Sequence, residues 1–165
     1  MRVMFRSLLA FALLASSIAC SPQGMDSFEA TIRAGEGVGD RVRLEDLKGR
    51  VVVLDFWAHW CPPCRESAPV LNALQAEFPE ERVSFYGVNV EGELSPRRLI
   101  QEHRDFGFAF PTLHDVEGVI KQGYLVSSLP TLIVLDPDGK VRGRHVGAAH
   151  EAKVRSLIQG ALTGE

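Results

Sequence analysis

The sequence predicts a three-layer α/β/α sandwich with a β-hairpin at its amino end and a helix-strand insertion near its middle. Three observations predict it. Residues 51–57 (VVVLDFW) and 130–136 (PTLIVLD) are near-continuous apolar runs rich in β-branched residues, the composition of strands buried on both faces. Segments with helical spacing alternate with the strand-like runs, an order that builds a sheet covered by helices. The last two strand-like runs are joined by Asp136-Pro137-Asp138-Gly139, a tight-turn signal, so they pair antiparallel.

Taken in order, residues 28–33 (FEATIR) alternate apolar and polar, the pattern of a half-buried strand. Three glycines between residues 34 and 40 make a turn, and residues 41–44 alternate again, which suggests a hairpin. Residues 44–49 (LEDLKG) are a single helical turn closed by glycine. After the first buried run, residues 62–78 place Val70, Leu71, Leu74 and Phe78 on one helical face, with Pro69 expected to kink the helix. Residues 83–90 read as a second strand. Ser95-Pro96 opens a helix, serine as N-cap and proline at N1, that runs to about Phe106 and stops at Gly107. A short strand over 110–113 and a short helix over 116–123 follow. The second buried run, the turn, a hairpin strand over 140–146 and an amphipathic helix over 151–162 complete the chain. The first half of the sheet is expected to be parallel, with right-handed crossovers.

The 165 residues are 45% hydrophobic and 24% charged, which suits one domain with its own core. A net charge of −3 without a clustered basic surface argues against a nucleic-acid partner. The first twenty residues, MRVMFRSLLAFALLASSIAC, carry Arg2 and Arg6, then an apolar stretch too short to span a bilayer comfortably, then small residues before Cys20. They predict an export signal over residues 1–19, a tether over 20–27 and a folded domain over 28–165, working outside the cytoplasm where disulfides persist. Ser17-Ile18-Ala19-Cys20 is similar to the lipobox of bacterial lipoproteins, whose cysteine is lipidated, although serine stands where leucine is usual. Cleavage before an incidental cysteine and an uncleaved anchor are the other readings.

The chain has three cysteines, and two of them flank a Pro-Pro pair in Trp57-Ala58-His59-Trp60-Cys61-Pro62-Pro63-Cys64. A structural zinc ion usually takes four Cys or His ligands, and none of the five histidines pairs with another at i, i+3 or i, i+4; no metal and no cofactor is expected. A disulfide across two residues closes too short a loop to act as a staple. A dithiol that is oxidised and reduced in turn is favoured, because the pair lies between a buried strand and a helix start. With Cys61 as N-cap, Pro62 is N1 and Pro63 is N2, so the Cys61 sulfur faces the positive end of the helix, which favours its thiolate. Cys61 is then the nucleophile and Cys64, one turn on, the resolving thiol. Pro63 removes one N–H that would have stabilised the thiolate, so the couple is expected to be reducing rather than oxidising. Asp55, desolvated inside the strand, is a candidate acceptor for the Cys64 proton; an aspartate hydrogen-bonded at a strand end is the plainer reading. Trp57 and Trp60 are candidates to floor the site, although a tryptophan in a strand is core more often than not. His59 is either a cation that lowers the Cys61 pKa or an exposed bystander.

The run from Asp55 to Cys64 resembles the active site of thioredoxin-fold proteins. Its Cys-Pro-Pro-Cys form, the export signal, the leading LEDLKGRVVVLDFWA and the extra helix-strand over 95–113 are similar to the TlpA/ResA-like branch. The resemblance covers residues 28–162. It implies a cis-proline facing the dithiol, matched by Pro130, with Leu129 extended and ready to pair with a substrate strand. On that reading Trp60, Trp57, Pro62 and Pro63 border the bound substrate. It also implies reduction of protein disulfides outside the cytoplasm, in apocytochrome c or copper-site proteins, with electrons from a membrane thiol protein. Two departures stand out. Family members often carry a glutamate three residues after the second cysteine; here that position is Ser67, and the acid is Glu66, turned by about 100° on a helix. Many members have asparagine where this chain has Asp55. The competing functions are a dithiol oxidant or isomerase on the same fold, and a Cu(I) metallochaperone using both thiolates; a thiol peroxidase is disfavoured.

Overall fold

A computed structural model of the chain describes Met25 and residues 27–164. The expected export signal, Cys20 and most of the tether lie outside the described residues.

The elements are β1 (Glu29–Ala34), β2 (Arg41–Arg43), a 3₁₀ turn (Leu44–Leu47), β3 (Val51–Trp57), α1 (Pro62–Glu77), β4 (Val83–Asn89), α2 (Pro96–Phe106), β5 (Thr112–His114), α3 (Val119–Gly123), β6 (Thr131–Leu135), β7 (Val141–Val146) and α4 (Glu151–Thr163). The seven strands form one sheet in the order β2-β1-β5-β4-β3-β6-β7. β3 pairs parallel with β4, and β4 parallel with β5, whereas β6 runs antiparallel to both β3 and β7. The sheet is therefore mixed, parallel only across β3, β4 and β5. The expected hairpin forms, with β1 antiparallel to β2, and β1 also pairs with β5, which joins the hairpin to the sheet.

β3 is buried along its whole length because both of its faces carry core. Val51, Val53 and Trp57 pack with α1, α2 and α4 through Leu71, Leu74, Leu99, Val154 and Ile158. Val52, Leu54 and Phe56 pack on the other face with α3, the hairpin and the 3₁₀ turn, through Ile120, Tyr124, Val42 and Leu44. Each fully buried side chain of this size contributes about 1.5–3 kcal/mol. Both margins of the sheet carry arginines: Arg41 and Arg43 on the three-residue β2, Arg142 and Arg144 on β7, all four exposed.

Local signals set most boundaries. Ser95 caps α2 by accepting the Arg98 N–H at 3.3 Å, and Gly107 closes it at φ 72°. β5 starts at Thr112, two residues beyond the expected start, because Pro111 has no N–H for the ladder and Phe110 turns into an aromatic cluster with Phe85 and Phe108. α3 starts at Val119, where the Asp115 carboxylate accepts the N–H groups of Ile120 and Lys121 at 3.0 and 2.7 Å. α1 runs unbroken through Pro69 and buries Cys64, Ser67, Ala68, Leu71 and Leu74.

Candidate active site

β3 and α1 build the site between them. Side chains alternate along a strand, so Asp55 shares a face with Val53 and Trp57, the face that packs against α1 and the two cysteines. The parallel partner opposite Asp55 is Gly87, and the antiparallel partner is Leu132. Asp55 is 2% exposed and its Oδ2 has no hydrogen-bond partner. Burial raises its carboxyl from an ordinary 3.8 to about 7. An acid of that strength exchanges a proton readily at neutral pH.

Cys61 is the N-cap of α1, with prolines at the first two helical positions. Cys61 and Cys64 form a disulfide with their Cα atoms 5.3 Å apart. The Cys64 N–H donates to the Cys61 Sγ at 3.3 Å. Pro62 and Pro63 have no N–H to add to it. Cys64 is wholly buried, while Cys61, 4% exposed, opens into a surface depression of about 420 Å³ lined by His59, Trp60, Cys61, Pro62, Arg65 and Glu66. A partner arriving from solvent therefore meets Cys61 first. A larger concavity of about 610 Å³ borders the hairpin and the β5–α3 connection and contains neither cysteine.

The Leu129–Pro130 bond is cis. Phe56 pairs antiparallel with Thr131, so Pro130 lies beside the Trp57 end of β3, from which the Cys61 loop departs. Pro130 is buried and its carbonyl accepts the Gly147 N–H at 2.9 Å; Leu129 is half-buried. The two tryptophans separate. Trp60 is 62% exposed at the depression. Trp57 is fully buried, its ring against Phe106 and Phe108 at centroid distances of 4.8 and 5.2 Å. The expectation that Trp57 borders a bound substrate is corrected: as the last residue of β3 it points into the core, and it supports the cysteine loop from beneath. Pro62 is exposed, Pro63 is half-buried, and Glu66 faces solvent at the depression.

Ser67, at the position where the resembling family often has glutamate, is 1% exposed. Its Oγ donates to the Pro63 carbonyl at 3.0 Å and accepts the Ala149 N–H at 2.8 Å, linking the first turn of α1 to the loop before α4. Arg65 is engaged with α2: Nη1 donates to the Asp105 carbonyl at 2.6 Å, and the guanidinium lies 4.1 Å from the Phe106 ring centroid. The most prominent residue that sequence reasoning missed is Glu91. Its Oε2 accepts the His59 backbone N–H at 2.7 Å, and its Oε1 meets His59 Nδ1 at 2.5 Å. The available signal was the parallel pairing of β3 with β4, because the register Trp57↔Asn89 carries residues 59 and 91 side by side. Among the described residues, no three of His, Cys, Asp and Glu come together to hold a metal ion.

Comparison with known proteins agrees with this geometry. The AhpC/TSA family matches residues 23–144. The thiol-disulfide oxidoreductase ResA of Oceanobacillus iheyensis is 30% identical over 98% of this chain and 83% of its own length. ResA of Bacillus subtilis is 31% identical over 77% of this chain and 70% of its own. In structure, the exposed lipoprotein thioredoxin Etrx1 of Streptococcus pneumoniae aligns with a TM-score of 0.70 at 27% identity, covering 81% of this chain and 98% of that one. With a Cys-x-x-Cys disulfide at a helix start on a thioredoxin-like sheet, the chain belongs to the AhpC/TSA family, among its thiol-disulfide oxidoreductases.

Proposed function

We propose that this protein is an exported reductant of protein disulfides, with Cys61 as the attacking sulfur and Cys64 as the resolving one. The observation that carries the reading is the Cys61 Sγ at the N-cap of α1 with one backbone N–H, that of Cys64, donating to it. The helix dipole favours the thiolate, and the two prolines withhold further stabilisation, so the dithiol gives its electrons up readily. In the forward reaction the Cys61 thiolate attacks one sulfur of the substrate disulfide, that S–S bond breaks, and the other substrate sulfur leaves as a thiolate that then takes up a proton. Cys64 then loses its proton to Asp55 and attacks Cys61; the Cys61–substrate bond breaks, the Cys61–Cys64 disulfide forms, and the second substrate sulfur leaves as a thiolate that takes up a proton. Trp60 and the Leu129–Pro130 loop border the bound substrate, and Glu66 and His59 flank it.

The amino-terminal pattern supports export through residues 1–19, with Cys20 as the lipidated anchor and residues 20–27 as tether to the domain over 28–165. Among the described residues no helix is long and apolar enough to cross a membrane. Etrx1 is named as an exposed lipoprotein, which favours the lipid over a retained signal. Apocytochrome c or a copper-site protein is the proposed substrate, and a membrane thiol protein the proposed electron donor. The test is insulin reduction by the intact protein and by Cys61→Ser and Cys64→Ser. Both variants are expected to lose turnover, and Cys64→Ser to retain its substrate as a mixed disulfide on Cys61. Turnover by Cys61→Ser, or a measured potential as high as that of a strong dithiol oxidant, refutes the reading.

A further inference from the structure

His59 is held from one side by a single carboxylate. Glu91 binds both its backbone N–H and its ring Nδ1. That carboxylate is itself fixed, because Asn89 Nδ2 donates to Glu91 Oε2 at 3.2 Å and the Glu91 N–H donates to Asn89 Oδ1 at 3.1 Å. The Glu91 side chain is 14% exposed and that of His59 is 37% exposed. An ionised carboxylate only accepts, so Nδ1 carries hydrogen and Nε2 is the nitrogen left to exchange protons. His59 lines the same depression as Cys61, two residues away.

We propose that His59, oriented by Glu91, is the proton carrier for the outer sulfur, and that Asp55 serves only the inner one. The proposal rests on Cys61 being the attacking sulfur. The attacking thiolate forms as the Cys61 thiol proton passes to His59 Nε2. The Cys61–sulfur bond forms, the substrate S–S bond breaks, and His59 returns the proton to the departing substrate sulfur. No other oxidant or reductant is needed. Glu91 is a positioning residue. The other charged groups around His59 are Glu66 and Arg65 on α1, Arg65 being engaged with Asp105 and Phe106. His114 on β5 lies behind Glu91, with Nε2 at 2.7 Å from its carbonyl. Asp55 is buried on β3, on the strand face it shares with Val53 and Trp57.

The test is single-turnover capture of glutathione disulfide by the reduced Cys64→Ser protein, followed by mass spectrometry from pH 5.5 to 9.5. An ordinary cysteine thiol is about 3% thiolate at pH 7, which leaves up to ~30-fold for a proton carrier to supply. Adding His59→Gln or Glu91→Gln is expected to slow capture about 10-fold at pH 6.5, with the ratio approaching one above about pH 9, where the thiolate forms unaided. Free imidazole is expected to restore most of the loss in His59→Gly. Equal rates at pH 6.5 overturn the proposal while leaving Cys61 as nucleophile. So does a slowing that is the same at every pH, which marks a loop-positioning role alone. Failure of the Cys64→Ser protein to capture glutathione at any pH removes the role of Cys61 and this proposal with it.

Discussion

Replacing Asp55 with asparagine keeps the shape of the side chain and removes its ionisation. The carboxyl is 2% exposed, and burial raises it from an ordinary 3.8 to about 7. Below pH 4 the group is protonated in the folded and the unfolded chain, and the substitution changes little. Between pH 4 and 7 the unfolded chain gives up this proton while the folded chain keeps it. Stability of the wild type therefore falls as pH rises through that window and levels off above it. At 1.36 kcal/mol per pH unit, the gap from 3.8 to about 7 is worth about 4 kcal/mol. Against a typical stability of about 5–15 kcal/mol that is a large fraction. Asp55→Asn is thus expected to be about 4 kcal/mol more stable than wild type at pH 8 and nearly equal to it at pH 4. With a urea dependence of about 2–3 kcal/mol/M, the pH 8 midpoints differ by roughly 1.3–2 M. The assay is urea unfolding of both oxidised proteins at pH 4, 6 and 8, monitored by tryptophan fluorescence. Effects of all other titrating groups cancel in the difference. A difference that does not grow between pH 4 and 8 refutes the claim that Asp55 is buried without compensation. The same substitution is expected to slow disulfide release while leaving first capture intact, which ties this instability to the chemistry.

Three further predictions follow from the same geometry. Pro63→Ala restores an N–H at the second helical position; a hydrogen bond to a charged group is worth about 1.5–3 kcal/mol, so the potential measured against glutathione rises by about 30–60 mV, and an unchanged potential refutes the donor argument. Ser67→Ala removes the bonds to Pro63 and Ala149 and is expected to cost about 1–3 kcal/mol in urea unfolding; a loss under 0.3 kcal/mol, roughly the error of such measurements, denies that the link matters. Gly87→Ala places a Cβ 2.8 Å from Thr112 Oγ1 and 3.0 Å from Trp57 Nε1; a destabilisation of about 1–3 kcal/mol is expected, and a neutral result in thermal unfolding contradicts the close packing behind the site.

Local signals carried the sequence reading a long way. The VVVLDFW run fixed β3, the Cys-Pro-Pro arrangement fixed the start of α1, and Ser95-Pro96 and Gly107 fixed both ends of α2, because caps and prolines act through their immediate neighbours. What escaped depends on pairing between distant segments. Glu91 reaches His59 through the β3–β4 register, and Ser67 reaches Ala149 across 82 positions. The insertion of β5 between β1 and β4 is likewise a matter of tertiary pairing, to which a three-residue strand gives no periodic clue. Trp57 and Trp60 were both candidates for the site; the strand run that ends at residue 57 already favoured core for Trp57, and the structure buries it and exposes Trp60.

The arginines on β2 and β7 have a consequence for the company this protein keeps. An open sheet margin offers unpaired backbone to which another extended chain can anneal. Arg41 is paired with Glu29, Arg43 with Asp46, and Arg142 with Asp136, so positive charge is pinned along both margins of the sheet. A client that settled there would have to displace those pairs and strip water from the guanidinium groups. Both flanks are thus guarded against edge-to-edge annealing, while the depression at Cys61 stays open to solvent.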